Sequence, residues 1–156
     1  MARTADSGAR VVSVNVSELK GTRKHSVGRA VLVASFGVEG DAHGGDWDRQ
    51  VSLLARESVA KMPASGLVLA PGDFGENLTT AGIDLAGLPV GSTLRIGSHA
   101  ELRVTQIGKE CHLGCEIRRQ VGDCVMPREG IFARVTKPGT IAAGDPIEVD
   151  FVGEPR

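Results

Sequence analysis

Glycine and proline interrupt this chain so often that no apolar stretch grows long. Its 156 residues include 21 glycines and 7 prolines, with only 3% aromatic residues and no tyrosine. Short apolar runs bounded by turn residues suit strands better than long helices. Such runs lie at 11–16, 29–33, 93–97, 100–107, 131–135 and 145–149. In 100–107 the alternation is strict, so Leu102, Val104 and Gln106 face one side and Glu101, Arg103 and Thr105 the other. Gly37, Gly40, Gly44 and Gly45 demand an irregular loop, and 137–141 reads as a turn. The segment 50–61 is the best helix: Val51, Leu54, Ser58 and Met62 recur on one helical face, Asp48 caps it and Pro63 stops it. The pattern predicts a mainly β fold with one or two short helices, built as a closed or nearly closed antiparallel β-barrel. No repeat, linker or low-complexity block divides the chain. Residues 11–156 form one domain behind a loose N-terminus at 1–10.

Charge and composition narrow the function. A formal charge of -1, from 18 basic and 19 acidic side chains, leaves no electrostatic footprint for nucleic acid or an anionic membrane. No apolar run approaches the ~20 residues that span a bilayer. The first residues lack the apolar stretch of a signal peptide, so a cytoplasmic protein is expected. In a reducing compartment, Cys111, Cys115 and Cys124 point to metal or thiol chemistry before disulfides.

Four segments carry chemistry-bearing residues. Cys111 follows a strand, with Lys109 and His112 close by, and neighbouring cations favour a thiolate. A thiolate can attack a carbon or sulfur centre, carry a persulfide or ligate a soft metal. Alternatively, Cys111, His112, Cys115 and Cys124 hold zinc or an iron–sulfur cluster, although their spacing matches no standard finger or ferredoxin. The bland reading makes them small buried hydrophobes. His43, in the Gly40–Gly45 loop, is a candidate base or ligand, weighed against a self-satisfied Asp/His/Gly turn. The run 71–80 offers Asn77 and threonine donors to an oxyanion, though it is no P-loop. Glu76 and Asn77 fit the alternative of a plain turn poorly. Arg128 offers a planar fork to an anion, or belongs to an ordinary Arg–Glu surface.

Together, Asp41-Ala42-His43-Gly44-Gly45, Arg49-Gln50-Val51-Ser52-Leu53-Leu54, Pro71 to Thr79 and Val104 to His112 resemble the MOSC domain, named for the C-terminal part of molybdenum cofactor sulfurases. The run Gly122 to Val135 looks like its small, stand-alone bacterial branch. The resemblance implies a β-barrel-rich fold with the family cysteine, here Cys111, at the end of a strand. It implies that Cys111 ligates molybdenum, as in the amidoxime reductases, or relays sulfur, as in the cofactor sulfurases. Arg49, Asn77, Thr79, Lys109 and Arg128 would contact the molybdopterin, and His43 would assist proton transfer. Neither a pyridoxal-phosphate site nor a desulfurase domain is recognisable, so sulfur would come from a cysteine desulfurase or another molybdopterin-biosynthesis protein. The expected roles are therefore a sulfur carrier or transferase, or a component of a molybdenum-dependent reductase. The competing classes are a zinc-binding interaction module and a molybdenum-free thiol enzyme.

Overall fold

A computed structural model describes residues 3–4, 8–18, 24–42, 44–59, 71–72, 74–108 and 130–150. Among them, in chain order, are β1 (Arg3–Thr4), β2 (Arg10–Val16), β3 (His25–Val27), β4 (Arg29–Val33), β5 (Gly37–Val38) and β6 (Val51–Ala55). Helix α1 (Arg56–Val59) and β7 (Leu78–Ala81) follow, then a 3₁₀ turn at Leu85–Gly87. The last strands are β8 (Thr93–Ile96), β9 (Ala100–Ile107), β10 (Ile131–Lys137), β11 (Gly139–Ala142) and β12 (Ile147–Asp150).

Nine strands form one sheet in the order β1-β12-β8-β9-β10-β6-β7-β2-β3, and β11-β4-β5 form a second. The mainly β expectation holds. The barrel does not: the large sheet has two edges, β1 and β3. Strand pattern and turn spacing set where strands occur, whereas closure depends on tilt and stagger that the pattern does not encode. A small clasp links distant parts of the open sheet. Arg10 and Pro146 make an isolated bridge, and Val11 N donates to Asp145 O at 2.9 Å and Ile147 N to Ala9 O at 3.0 Å. Arg3–Thr4, within the ten residues expected to be loose, pair with Val149 and Asp150.

The helix expected at 50–61 needs correction. Residues Val51–Ala55 form a strand, and α1 begins only at Arg56. All five side chains of β6 are buried, because β10 flanks it on one edge and β7 on the other. A strand buried on both faces reads as a continuous apolar run, which periodicity alone cannot separate from a buried helix. The β6–β7 pair is also parallel, against the all-antiparallel expectation. The long connection between them, which includes α1, is what a parallel pair requires.

The alternation in β9 holds: Leu102 and Val104 are buried while Arg103 is exposed. The core joins Val11 and Val14 of β2, Leu53 of β6, Leu78 of β7, Leu94 of β8, Ile131 of β10 and Ile147 of β12. Each such side chain contributes about 1.5–3 kcal/mol by leaving water. This apolar layer holds rigid the polar residues at one end of β2, β6 and β7.

Candidate functional site

Polar residues embedded in apolar strands build the first half of the site. Asn15 interrupts Val14-Asn15-Val16 on β2 and is fully buried. Its Nδ2 donates to Glu76 O and to Thr79 Oγ1, both at 3.1 Å, and its Oδ1 accepts from Ser13 Oγ at 2.7 Å. Asn77 stitches two strands together. Its Oδ1 accepts from Ser52 N at 3.0 Å and Ser52 Oγ at 3.2 Å, and its Nδ2 donates to Asn15 O at 3.2 Å. These bonds satisfy groups that would otherwise be costly to bury.

Glu76 closes the turn before β7. One carboxylate oxygen accepts from Gly72 N at 3.0 Å and Thr79 Oγ1 at 2.7 Å, and the other from Phe74 N at 3.2 Å. The residue is fully buried. Burial raises its pKa above the ordinary carboxylate range, opposed by the hydrogen bonds from Gly72, Thr79 and Phe74. Gly72 must be glycine here. Its φ is +91°, and a Cβ would lie 2.3 Å from Lys24 O.

The glycine-rich loop is fastened by a buried ion pair. Lys24 Nζ lies 2.8 Å from Asp41 Oδ1, and both side chains are fully buried. The same oxygen accepts from Ser17 N at 3.0 Å, and Lys24 Nζ also donates to Ser17 Oγ at 3.0 Å. Asp41 therefore ties the loop to the end of β2. Asp41 thus bonds Ser17 and Lys24, both outside the self-satisfied turn considered from the sequence.

The second half of the site lies where residues 44–50 cross β9 and β10. The Arg49 guanidinium sits over Trp47, 4.8 Å from the ring centre, and over Phe132 at 5.8 Å. It makes no ion pair with any described carboxylate, and aromatic contact leaves its in-plane donors for an anion. Arg134 pairs with Asp46 and, at 3.6 Å, with Asp48, while Thr105 Oγ1 donates to Asp48 O and Phe132 O. These contacts hold the loop that presents Arg49. Strand register then sets Ser52, Phe132 and Gln106 side by side. Gln106 Nε2 donates to Gly108 O at 2.8 Å, and Gly108 N to Gly130 O at 2.7 Å. The chain thus leaves β9 and re-enters β10 through one narrow neck.

Of the residues expected to act, Arg49, Asn77 and Thr79 are described. Asn77 and Thr79 share one buried network, and Arg49 lies across β6 from it. His43, Lys109, Cys111, His112, Cys115, Cys124 and Arg128 lie outside the described residues. Among the described residues no three His, Cys, Asp or Glu side chains gather as a metal site. The donor set suits a phosphate-bearing group in one respect: Arg49 offers a cationic fork. Asn77 and Thr79 are spent on internal bonds, so they shape the wall. Sequence reasoning missed Asn15, Ser52 and Trp47. The signal for the first two was a lone polar residue at an inward position of an apolar run.

No helix among the described residues is long and apolar enough to cross a membrane. A search of curated proteins finds no match. The structure resembles the YuaD protein of Bacillus subtilis with a TM-score of 0.79 and 21% identity, over 97% of this chain and 99% of that one. It resembles YiiM of Geobacillus stearothermophilus (TM-score 0.71, 22% identity) over 94% of this chain and 77% of that one. It also resembles YiiM of Escherichia coli (TM-score 0.63, 23% identity), over 94% of this chain and 70% of that one. At these identities the likeness establishes the fold. The family model for the MOSC domain matches residues 39–148, which include Ser52, Glu76, Asn77 and Thr79 of the buried network, the Arg49 loop and the neck at Gly108 and Gly130. The chain belongs to the MOSC domain family.

Proposed function

We propose that this protein handles a molybdenum pterin cofactor, with Cys111 as the residue that ligates molybdenum or carries sulfur for it. The observation that carries this reading is the placement of Arg49. Its guanidinium lies over Phe132, which follows Gly130 by two residues at the neck where the cysteine segment joins the sheet. A cation there suits the phosphate of the pterin. When bound, the group supplies the soft metal that a thiolate prefers.

The chain's own residues then have separate tasks. Arg49 binds the phosphate, aided by Lys109 and Arg128 from the segment between β9 and β10. Asn77, Thr79 and Glu76 act as positioning residues that hold the wall of β2, β6 and β7. Cys111 accepts sulfane sulfur from a partner's persulfide, forming its own persulfide while the partner sulfur leaves as a thiol, with no net oxidation. His43 assists proton transfer at that sulfur. The partner is a cysteine desulfurase or another protein of molybdopterin biosynthesis, and the expected compartment is the cytoplasm.

The test is molybdenum, pterin and zinc content of protein from a molybdenum-replete host, for wild type, Cys111→Ser and Arg49→Ala. Sulfane sulfur is read in parallel as thiocyanate released by cyanide after incubation with a desulfurase and cysteine. Molybdenum with pterin, or cyanide-labile sulfur, present in wild type and lost in Cys111→Ser supports the reading. Arg49→Ala should lower pterin retention about tenfold, the loss of one charge-assisted contact. Stoichiometric zinc with neither pterin nor labile sulfur would replace it with a metal-binding module.

A further inference from the structure

The loop that presents Arg49 carries two carboxylates of its own. Asp46 and Asp48 flank Trp47, and Asp48 immediately precedes Arg49. An anion approaching Arg49 meets both at close range. Among the described residues no ion pair joins either one to Arg49. Both pair instead with Arg134, Asp48 at 3.6 Å. Strand β10 explains how Arg134 reaches them. Ile131, Ala133 and Val135 belong to the core, so Phe132 and Arg134 share the opposite face. They lie about 7 Å apart along the strand. The Arg49 guanidinium lies over the Phe132 ring, so the two arginines are neighbours on one face. Arg103, opposite Arg134 across the β9–β10 ladder, adds a third cation there.

Holding the loop does not depend on Arg134 alone. Thr105 Oγ1 donates to Asp48 O, and Gly45 N donates to Phe36 O at 2.8 Å. The Phe36 ring packs against Gly44, where a Cβ would clash with it. The ion pairs themselves are wet: the Asp46 and Asp48 side chains keep 78% and 72% of their surface exposed. Pairs this exposed add little to stability. They do change the local field, because an unpaired carboxylate repels an anion within a Debye length, about 10 Å at about 0.1 M salt.

We infer that Arg134 is a positioning residue that holds the Asp46 and Asp48 charges off the phosphate contact at Arg49. The inference rests on the reading of Arg49 given above. Arg134 acts on the ligand only through the two carboxylates. A phosphate at Arg49 then meets carboxylates already engaged by a cation, and the loop that carries them does not repel it.

The test uses the full chain and inorganic phosphate, exchanged for chloride at constant ionic strength. The protein's single tryptophan, Trp47, lies 4.8 Å from the Arg49 guanidinium, so its emission reports binding. Arg134→Gln should weaken phosphate binding about threefold at about 0.1 M salt, and the difference should vanish near about 1 M. Arg134→Lys keeps the charge and should stay near wild type. The triple variant Asp46→Asn, Asp48→Asn, Arg134→Gln should bind phosphate at least as well as wild type, a rescue that a lost loop geometry would not allow. A triple variant as weak as Arg134→Gln overturns the inference. Phosphate binding lost in Arg49→Ala but unchanged in Arg134→Gln overturns it alone. Unchanged binding in Arg49→Ala overturns the phosphate contact and this inference with it. If Arg134→Gln melts far below wild type, the double variant Asp46→Asn, Asp48→Asn decides: tighter phosphate binding supports the inference and unchanged binding overturns it.

Discussion

A buried ion pair and a buried carboxyl set the strongest residue-scale expectations. Lys24 and Asp41 are fully buried and bonded at 2.8 Å. Lys24→Met removes the buried cation bonded to Asp41, which should cost about 3–5 kcal/mol in urea unfolding. The double variant Lys24→Met, Asp41→Leu should recover part of that loss, because both charges of the pair are then gone. Glu76 gives a pH dependence. Its folded pKa is raised, so the native state binds more protons than the unfolded chain between the ordinary carboxylate range and the raised value. Stability should therefore fall as pH rises through that window and level off above it. Glu76→Gln should remove this slope, and at neutral pH it sets an amide N–H against the donors of Gly72 or Phe74, costing about 1–3 kcal/mol. Thermal melts across the acid range check both. Glu76 and Asn77 were legible in the sequence as residues that a plain turn explains poorly. Asn15 was not, because its partner Glu76 lies 61 residues away and nothing local marks the pair.

At the scale of elements, β6 decides most. It lies between β10 and β7 and joins the antiparallel part of the sheet to its parallel pair. Leu53, opposite both Ile131 and Leu78, has no exposed surface. Leu53→Ala should cost about 2–5 kcal/mol, read as a lowered urea midpoint. Strands 11–16, 29–33, 100–107 and 131–135 were legible because each alternates or lies between turn residues. β6 was not, since burial on both faces removes the alternation that marks a strand. β11 was hidden for another reason. Lys137-Pro138-Gly139 reads as a turn, yet Gly139–Ala142 pairs with β4, whose partner residues are Arg29 to Leu32. Such non-local pairing leaves no local signature. The Arg49 loop was legible only as a family-like motif, because its stacking on Phe132 depends on strand register.

For the whole molecule, the pairing order matters more than any single contact. The first and last strands meet: β12 lies between β1 and β8, and Ala9 to Val11 clasp Gly144 to Ile147. A chain ending after Ala142 lacks β12 and the Gly144 to Ile147 side of the clasp. It should fail to fold, giving a disordered far-UV circular dichroism spectrum and rapid digestion by a nonspecific protease. The same topology bears on synthesis in the cell. Ala9 and Val11 emerge from the ribosome early but receive their Gly144 to Ile147 neighbours only near the end of translation. At about 5–20 residues per second, that wait is on the order of ten seconds. During it the inward valines of β2 stand exposed, which makes this protein a natural client for a chaperone that shields nascent chains.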